Sequence, residues 1–167
     1  MMSDQRINLD MKLHLRDIRR EDLSKLFEYQ CDPDSNYLAA FTAEHPEDWE
    51  SFLAKWERIF SDPRIIKKAI LYEEKIVGHI AKFERQGIPE VTYWIGREYW
   101  GMGIATWALK KFLTLLEERP LYARVAFDNI ASQKVLEKCG FQITGRERGF
   151  ANARGKEIEE FIMVLKD

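Results

Sequence analysis

The residues that say most about chemistry are Gly101, Met102 and Gly103, in the stretch Ile95-Gly96-Arg97-Glu98-Tyr99-Trp100-Gly101-Met102-Gly103-Ile104-Ala105. A β-branched and aromatic run precedes them and a helical pattern follows, so the chain leaves a strand and enters a helix here. The glycines permit positive φ and let a ligand approach the backbone closely. N–H groups of the first helical turn lack intrahelical partners, and the dipole places roughly +0.5 charge at that end. Such a turn binds phosphate without a side-chain cation. Each contact contributes on the order of 1 kcal/mol, so several convergent N–H groups are needed. A tight strand–helix turn with no ligand is the competing reading. Two other phosphate patterns fail. A Walker A loop needs Gly-Lys-Ser/Thr, but Ile104-Ala105 follow Gly103, and a dinucleotide fingerprint needs a third glycine where Thr106 stands.

The elements around this turn follow from periodicity. Leu13-His14-Leu15-Arg16 alternates as a first strand, and Leu23, Leu26, Phe27 and Gln30 follow helical spacing until Cys31-Asp32-Pro33-Asp34-Ser35-Asn36 breaks it. A second helix opens with Pro46 in its first turn and carries Trp49, Phe52, Leu53, Trp56 and Phe60 on one face. Lys68 to Tyr72 and Ile76 to Phe83 form a hairpin, and Glu90-Val91-Thr92-Tyr93-Trp94-Ile95 is a third strand. After the glycine turn, Ala105, Ala108, Leu109, Phe112, Leu115 and Leu116 share a helix face that Arg119-Pro120 ends. Leu121 to Phe127 is another strand. Asp128-Asn129 then caps a short helix, with Gly140 as its left-handed C-terminal residue. Gln142 to Phe150 and Lys156 to Leu165 close the chain as a hairpin. A strand–helix–strand unit favours parallel pairing by a right-handed crossover, so an α/β (α+β) fold with a mixed sheet and one central parallel pair is expected.

At 167 residues, without repeats or linkers, residues 1–167 read as a single domain able to bury a substantial core. Hydrophobic residues at 46% and charged residues at 32% exclude disordered and fibrous classes. A net charge of −2 with interspersed signs offers no nucleic-acid footprint, so an anion must be bound by a local device. Apolar runs are too short for a membrane span, and Met1 to Arg6 lack the core of a signal peptide, which sets the cytoplasm as the expected location. Cys31 and Cys139 lack metal-ligand spacing and a disulfide is not expected; no metal site is assigned.

Tyr93-Trp94-Ile95 through Thr106, followed by Asn129-Ile130-Ala131-Ser132 and Lys138-Cys139-Gly140-Phe141, resembles the GNAT N-acetyltransferase superfamily. The resemblance runs from Leu13 to Leu165 and is nearest the branch of ribosomal-protein N-terminal acetyltransferases. It implies a sheet splayed open at the central parallel pair. The pantetheine of acetyl-CoA (coenzyme A) would lie in the resulting cleft and its pyrophosphate on Trp100, Gly101, Met102, Gly103, Ile104, Ala105 and Thr106. By the same resemblance a backbone N–H of Trp94 or Ile95 binds the oxyanion, and Asn129 contacts the pantetheine arm while also serving as N-cap. Glu98 stands where the family often has Gln or Arg, and Trp107 where relatives carry Glu; Trp107 either packs or shapes a pocket.

Acetylation of an amine needs a neutral amine, a stabilised oxyanion and a protonated leaving thiolate. By resemblance, Glu90 begins the strand lining the acceptor side of the thioester and stands where this branch carries Glu. That makes it the candidate base, through a water, with a solvated strand-end carboxylate as the alternative. His79, with an ordinary pKa near ~6.5, is the rival base or a structural histidine. Many members place a Tyr acid where this chain has Leu136; in the resembling branch Ser132 takes that part. The acceptor pocket is expected from the Cys31–His45 loop, the second helix and the last hairpin, with Tyr37, Phe41, Trp49, Trp56 and Phe150 as its aromatics or as core. The expected activity is acetyl transfer from acetyl-CoA directly to a primary amine, on a small molecule or a peptide N-terminus. The alternative is a non-catalytic acyl-CoA-binding or sensing module. Neither nucleic acid nor membrane is expected as a partner, and a homodimer is left open.

Overall fold

A computed structural model describes residues 9–167; the reading of Met1 to Arg6 lies outside the described residues. The elements are β1 (Leu13–Asp17), α1 (Leu23–Gln30), α2 (Pro33–Ala39), α3 (Trp49–Ser61), β2 (Ile66–Tyr72), β3 (Lys75–Arg85) and β4 (Ile88–Ile95). They continue with α4 (Ile104–Leu113), β5 (Leu121–Ala126), α5 (Ile130–Lys138), β6 (Gln142–Ala151) and β7 (Lys156–Leu165). One seven-stranded sheet has the order β1-β2-β3-β4-β5-β7-β6. Every pairing is antiparallel except β4–β5, the strands joined through α4. A crossover through a helix returns the chain in the same direction, which is why this pair alone is parallel.

That parallel pair meets at one position, Glu90 opposite Tyr122. On either side the ladders are continuous, β3 with β4 from Gly78/Ile95 to Arg85/Ile88 and β5 with β7 from Leu121/Leu165 to Ala126/Glu160. Each central strand is therefore held by its outer neighbour, and beyond Glu90 the two diverge. The sheet opens as a V toward the C-terminal ends of β4 and β5, where the turns into α4 and α5 begin.

Alternation along the strands builds two cores. Val91 and Ile95 of β4 pack with Ile104, Leu109 and Phe112 of α4 and Leu136 of α5 on one face. Trp94 packs on the other face with Leu26 and Tyr29 of α1 and Phe52 and Trp56 of α3. Each fully buried large side chain, such as Phe112, stabilises by about 1.5–3 kcal/mol relative to exposure. Among the described residues no helix is long and apolar enough to cross a membrane.

The structure corrects the sequence reading at three element boundaries. The Cys31–Asn36 stretch ends α1 but also starts α2: Pro33 takes the first helical position, and the Asp32 carboxylate accepts from the Ser35 N–H at 3.1 Å. Pro46 precedes α3 rather than entering it, because Asp48 accepts from the N–H groups of Glu50 and Ser51 and sets the N-cap there. Leu115 is half exposed, since α4 stops at Leu113 and the turn that follows carries Leu115 outward, while Leu116 still packs in the core.

Candidate active site

The glycine turn has the geometry its sequence calls for. Gly101 and Gly103 adopt φ of 78° and 81°, and Gly103 is the N-cap of α4, with no side chain bonded to the helix N-terminus. Its first-turn N–H groups are thus left for an outside acceptor. A Cβ on Gly101 would meet nothing within 4 Å, so the space beside this glycine is open. Ile104 is buried at 1% exposure, so its side chain anchors the helix in the core and only its backbone faces the turn. Trp100 folds back to donate from Nε1 to the Ile95 carbonyl at 2.9 Å, tying the turn to the end of β4. Beside the turn is a hollow of about 390 Å³ lined by Gly103, Thr106, Trp107, Lys110, Lys111 and Lys138. Trp107, whose role the sequence left open, forms part of its wall and donates from Nε1 to Asp10 at 2.6 Å.

The walls of the V carry the next residues. Beyond Glu90 the β5-facing backbone groups of β4, through Trp94 and Ile95, have no ladder partner on that side. The Trp94 indole donates to the Tyr29 carbonyl at 3.2 Å, which fixes the strand end against α1. Asn129 caps α5 by accepting from the Ser132 N–H at 3.3 Å and donates to the Leu38 carbonyl at 3.3 Å. Ser132 Oγ lies 2.7 Å from the hydroxyl of Tyr93, a contact the sequence reading missed. The parity of Tyr93 with Val91 and Ile95 was the available signal, since it sends that ring toward the α4–α5 side.

Glu90 has the opposite parity and lies at the closed end of the V. It is buried at 4% exposure, not the solvated strand-end carboxylate that was its alternative reading. Its Oε1 accepts from Arg85 Nε at 3.0 Å and Arg124 Nε at 3.1 Å. Arg124 also bonds Glu147 at 2.7 Å and Glu160 at 2.8 Å. These hydrogen bonds hold its guanidinium above its ordinary pKa despite burial, so it is a fixed positive centre among three carboxylates. Sequence spacing could not find this cluster, because β4, β5, β6 and β7 each supply part of it.

His79 sits edge-on to Trp56, ring centroids 5.3 Å apart, and its Nδ1 is buried with no partner among the described residues. Burial, with the charge of Lys55, pushes its pKa down to about 3. A neutral imidazole of that basicity takes a proton from an ammonium poorly, so the structure favours the structural reading of His79 over the base.

The 31–48 segment and the last hairpin meet across the sheet. Arg154, with a side chain 4% exposed, pairs with Asp128 at 2.8 and 2.9 Å, lies 3.9 Å from the Tyr37 ring centroid and donates to the Tyr37 carbonyl at 2.7 Å. Of the aromatics expected near the acceptor, Trp56 is core, Phe41 is partly buried, and Tyr37, Trp49 and Phe150 are exposed.

Comparisons with known proteins agree with this architecture. Residues 12–142 match the model of the acetyltransferase (GNAT) domain family. The chain is 30% identical over 119 residues to a Bacillus subtilis (strain 168) protein named as a ribosomal N-acetyltransferase, YdaF; the match spans 65% of each chain. It is 24% identical over 164 residues to an N-acetyltransferase of Bacillus licheniformis named p20, covering 92% of each. Among solved structures, spermidine N-acetyltransferase from Vibrio cholerae in complex with CoA and spermine superposes with a TM-score of 0.80 at 19% identity, covering 93% of this chain and 96% of that one. The microcin C7 self-immunity acetyltransferase MccE in complex with acetyl-CoA and AMP does so at 0.78 and 17%, covering 93% of each. A glycine turn opening an uncapped helix, a sheet split at its one parallel pair and a family match over residues 12–142 converge: the chain belongs to the GNAT acetyltransferase family and is an acyltransferase.

Proposed function

We propose that the protein is a cytoplasmic N-acetyltransferase that uses acetyl-CoA and moves the acetyl group directly to a primary amine. The observation that carries this reading is the position of the uncapped, open glycine turn at the mouth of the V, where β4 and β5 have parted. Backbone N–H groups from Gly101 to Thr106 would hold the pyrophosphate, and the lysines of the adjoining hollow suit further phosphate charge. The unpaired edge of β4 suits the amide-bearing pantetheine arm, with Asn129 across the gap. Acetyl-CoA, when bound, supplies an activated thioester carbonyl.

The chain's own groups then divide the work. A free N–H at Trp94 or Ile95 would receive the carbonyl oxygen as charge develops there. Glu90 would take the amine proton through a water; both guanidinium contacts fall on Oε1, so Oε2 is the oxygen to do so. Ser132 faces the leaving group from α5. The acceptor would enter between α2, α3 and the last hairpin. Relatives named for ribosomal and spermidine acetylation keep peptide N-termini and small amines as the two acceptor classes.

Calorimetry with acetyl-CoA, followed by thiol release against amines and N-terminal peptides, tests the reading. One-to-one binding and acceptor-dependent thiol release are expected. Absence of acetyl-CoA binding would overturn it, and binding without turnover on any amine would point instead to a non-catalytic acyl-CoA sensor.

A further inference from the structure

Leu136, where many relatives by resemblance place a hydroxyl acid, is 2% exposed and belongs to the core. The hydroxyls at this end of the cleft come from Ser132 on α5 and, facing it, from Tyr93 on β4. Their 2.7 Å contact joins the two walls of the V where the β4–β5 ladder has already ended. The geometry lets either hydroxyl donate; a phenol is a stronger acid than an aliphatic alcohol, which favours Tyr93 as the donor and Ser132 Oγ as the acceptor. Burial pushes the Tyr93 pKa up to about 12, outweighing the contact with Ser132, so the phenol keeps its proton at working pH. Asn129 fixes the helix turn on which Ser132 rides. With its oxygen committed to Tyr93, Ser132 can aim its own proton at a third atom.

We infer that Tyr93 is a positioning residue for the leaving group: its phenol O–H, donated to Ser132 Oγ, directs the Ser132 hydroxyl proton at the sulfur of a thioester lodged between β4 and β5. The inference rests on the proposed acetyl transfer. The amine lone pair forms the N–C bond as the carbonyl π pair moves to oxygen; when that oxyanion collapses, the C–S bond breaks and its electron pair goes to sulfur. The Ser132 hydrogen bond stabilises that charge, and Tyr93 polarises Ser132. Both hydroxyls keep their protons; the thiolate becomes a thiol by taking one of the protons the amine released.

The test uses protein labelled with ¹³C at the tyrosine ζ carbon, the Tyr93 resonance being the one lost in Tyr93→Phe. CoA should shift it, desulfo-CoA should not, and Ser132→Ala should abolish the CoA-dependent shift. With any accepted amine, Tyr93→Phe should lower kcat about 10-fold and Ser132→Ala about 100-fold, with KM for acetyl-CoA little changed. The double variant should be no slower than Ser132→Ala, because the pair acts as a unit. CoA binding with equal responses to CoA and desulfo-CoA, or an unchanged kcat in folded Tyr93→Phe, overturns the inference alone. Failure to bind CoA at all overturns the proposed function with it. Should Tyr93→Phe not fold, the Ser132→Ala spectra and kcat decide.

Discussion

Glu90 lies at the closed end of the cleft with Oε1 shared by Arg85 and Arg124, so it holds the two guanidiniums together. A buried carboxylate removed from such a pair would leave an unpaired guanidinium, ordinarily a loss of several kcal/mol. Here the loss is limited, because Arg124 retains Glu147 and Glu160 and Arg85 is 53% exposed. Glu90→Gln should therefore stay folded, at a cost of about 1–3 kcal/mol. If Glu90 is the base, turnover falls about 100-fold while acetyl-CoA affinity holds within about threefold. Stopped-assay kcat beside calorimetry measures this. Full turnover in the folded variant would remove Glu90 from the proton path, leaving water as the acceptor, since His79 is held too weakly basic.

The element that matters most is the N-terminus of α4. Gly103 has φ of 81°, and a Cβ there would come within 3.5 Å of Leu9 Cδ1, ordinary contact distance. The substitution Gly103→Ala thus carries backbone strain of about 1–2 kcal/mol but no clash and no charge. Gly103→Asp tolerates the left-handed backbone at least as well, yet sets a carboxylate where the phosphates are proposed to lie. Calorimetry should find acetyl-CoA affinity within about tenfold for Gly103→Ala and no detectable binding for Gly103→Asp. Equal behaviour of the two variants would show that strain, not anion binding, governs the turn. Local signals of this kind were legible: the Asp128-Asn129 cap and the glycine turn are fixed by residues adjacent in sequence. Asp32-Pro33 carried the same kind of signal for α2, hidden because Pro33 was read as a breaker of α1 rather than the first residue of a new helix.

At the scale of the whole molecule, His79 makes stability depend on pH. The unfolded chain binds the His79 proton below its ordinary pKa of 6.5, whereas the native state, with the pKa pushed down to about 3, does not. The unfolded state then holds more protons, so stability is complete above about pH 6.5. It falls as pH drops toward 3, approaching ~1.4 kcal/mol per pH unit. His79→Leu should flatten the curve between pH 6.5 and 4, read by urea unfolding at several pH values. Asp22 does not confuse this window. Burial would raise its pKa, but hydrogen bonds from Arg16 and the Arg19 N–H outweigh that and hold it below its ordinary value. An unaltered pH slope in the variant would show that His79 is not the group responsible.

Patterns spanning a few residues were enough for the strands, most helices, the glycine turn and the central parallel pair, because propensity, capping and the crossover rule act locally. Resemblance in Tyr93 to Thr106 and Asn129 to Phe141 was enough for the family. Tertiary structure decided what depends on residues distant in sequence: that β4 and β5, whose parting the resemblance implied, separate right after Glu90 and Tyr122, that Glu90 is buried among guanidiniums, that the His79 Nδ1 is buried and that Tyr93 meets Ser132. Each follows from which strand lies beside which and how far apart their walls stand. Burial and charge pairing are set by those neighbours, and no run of sequence contains them.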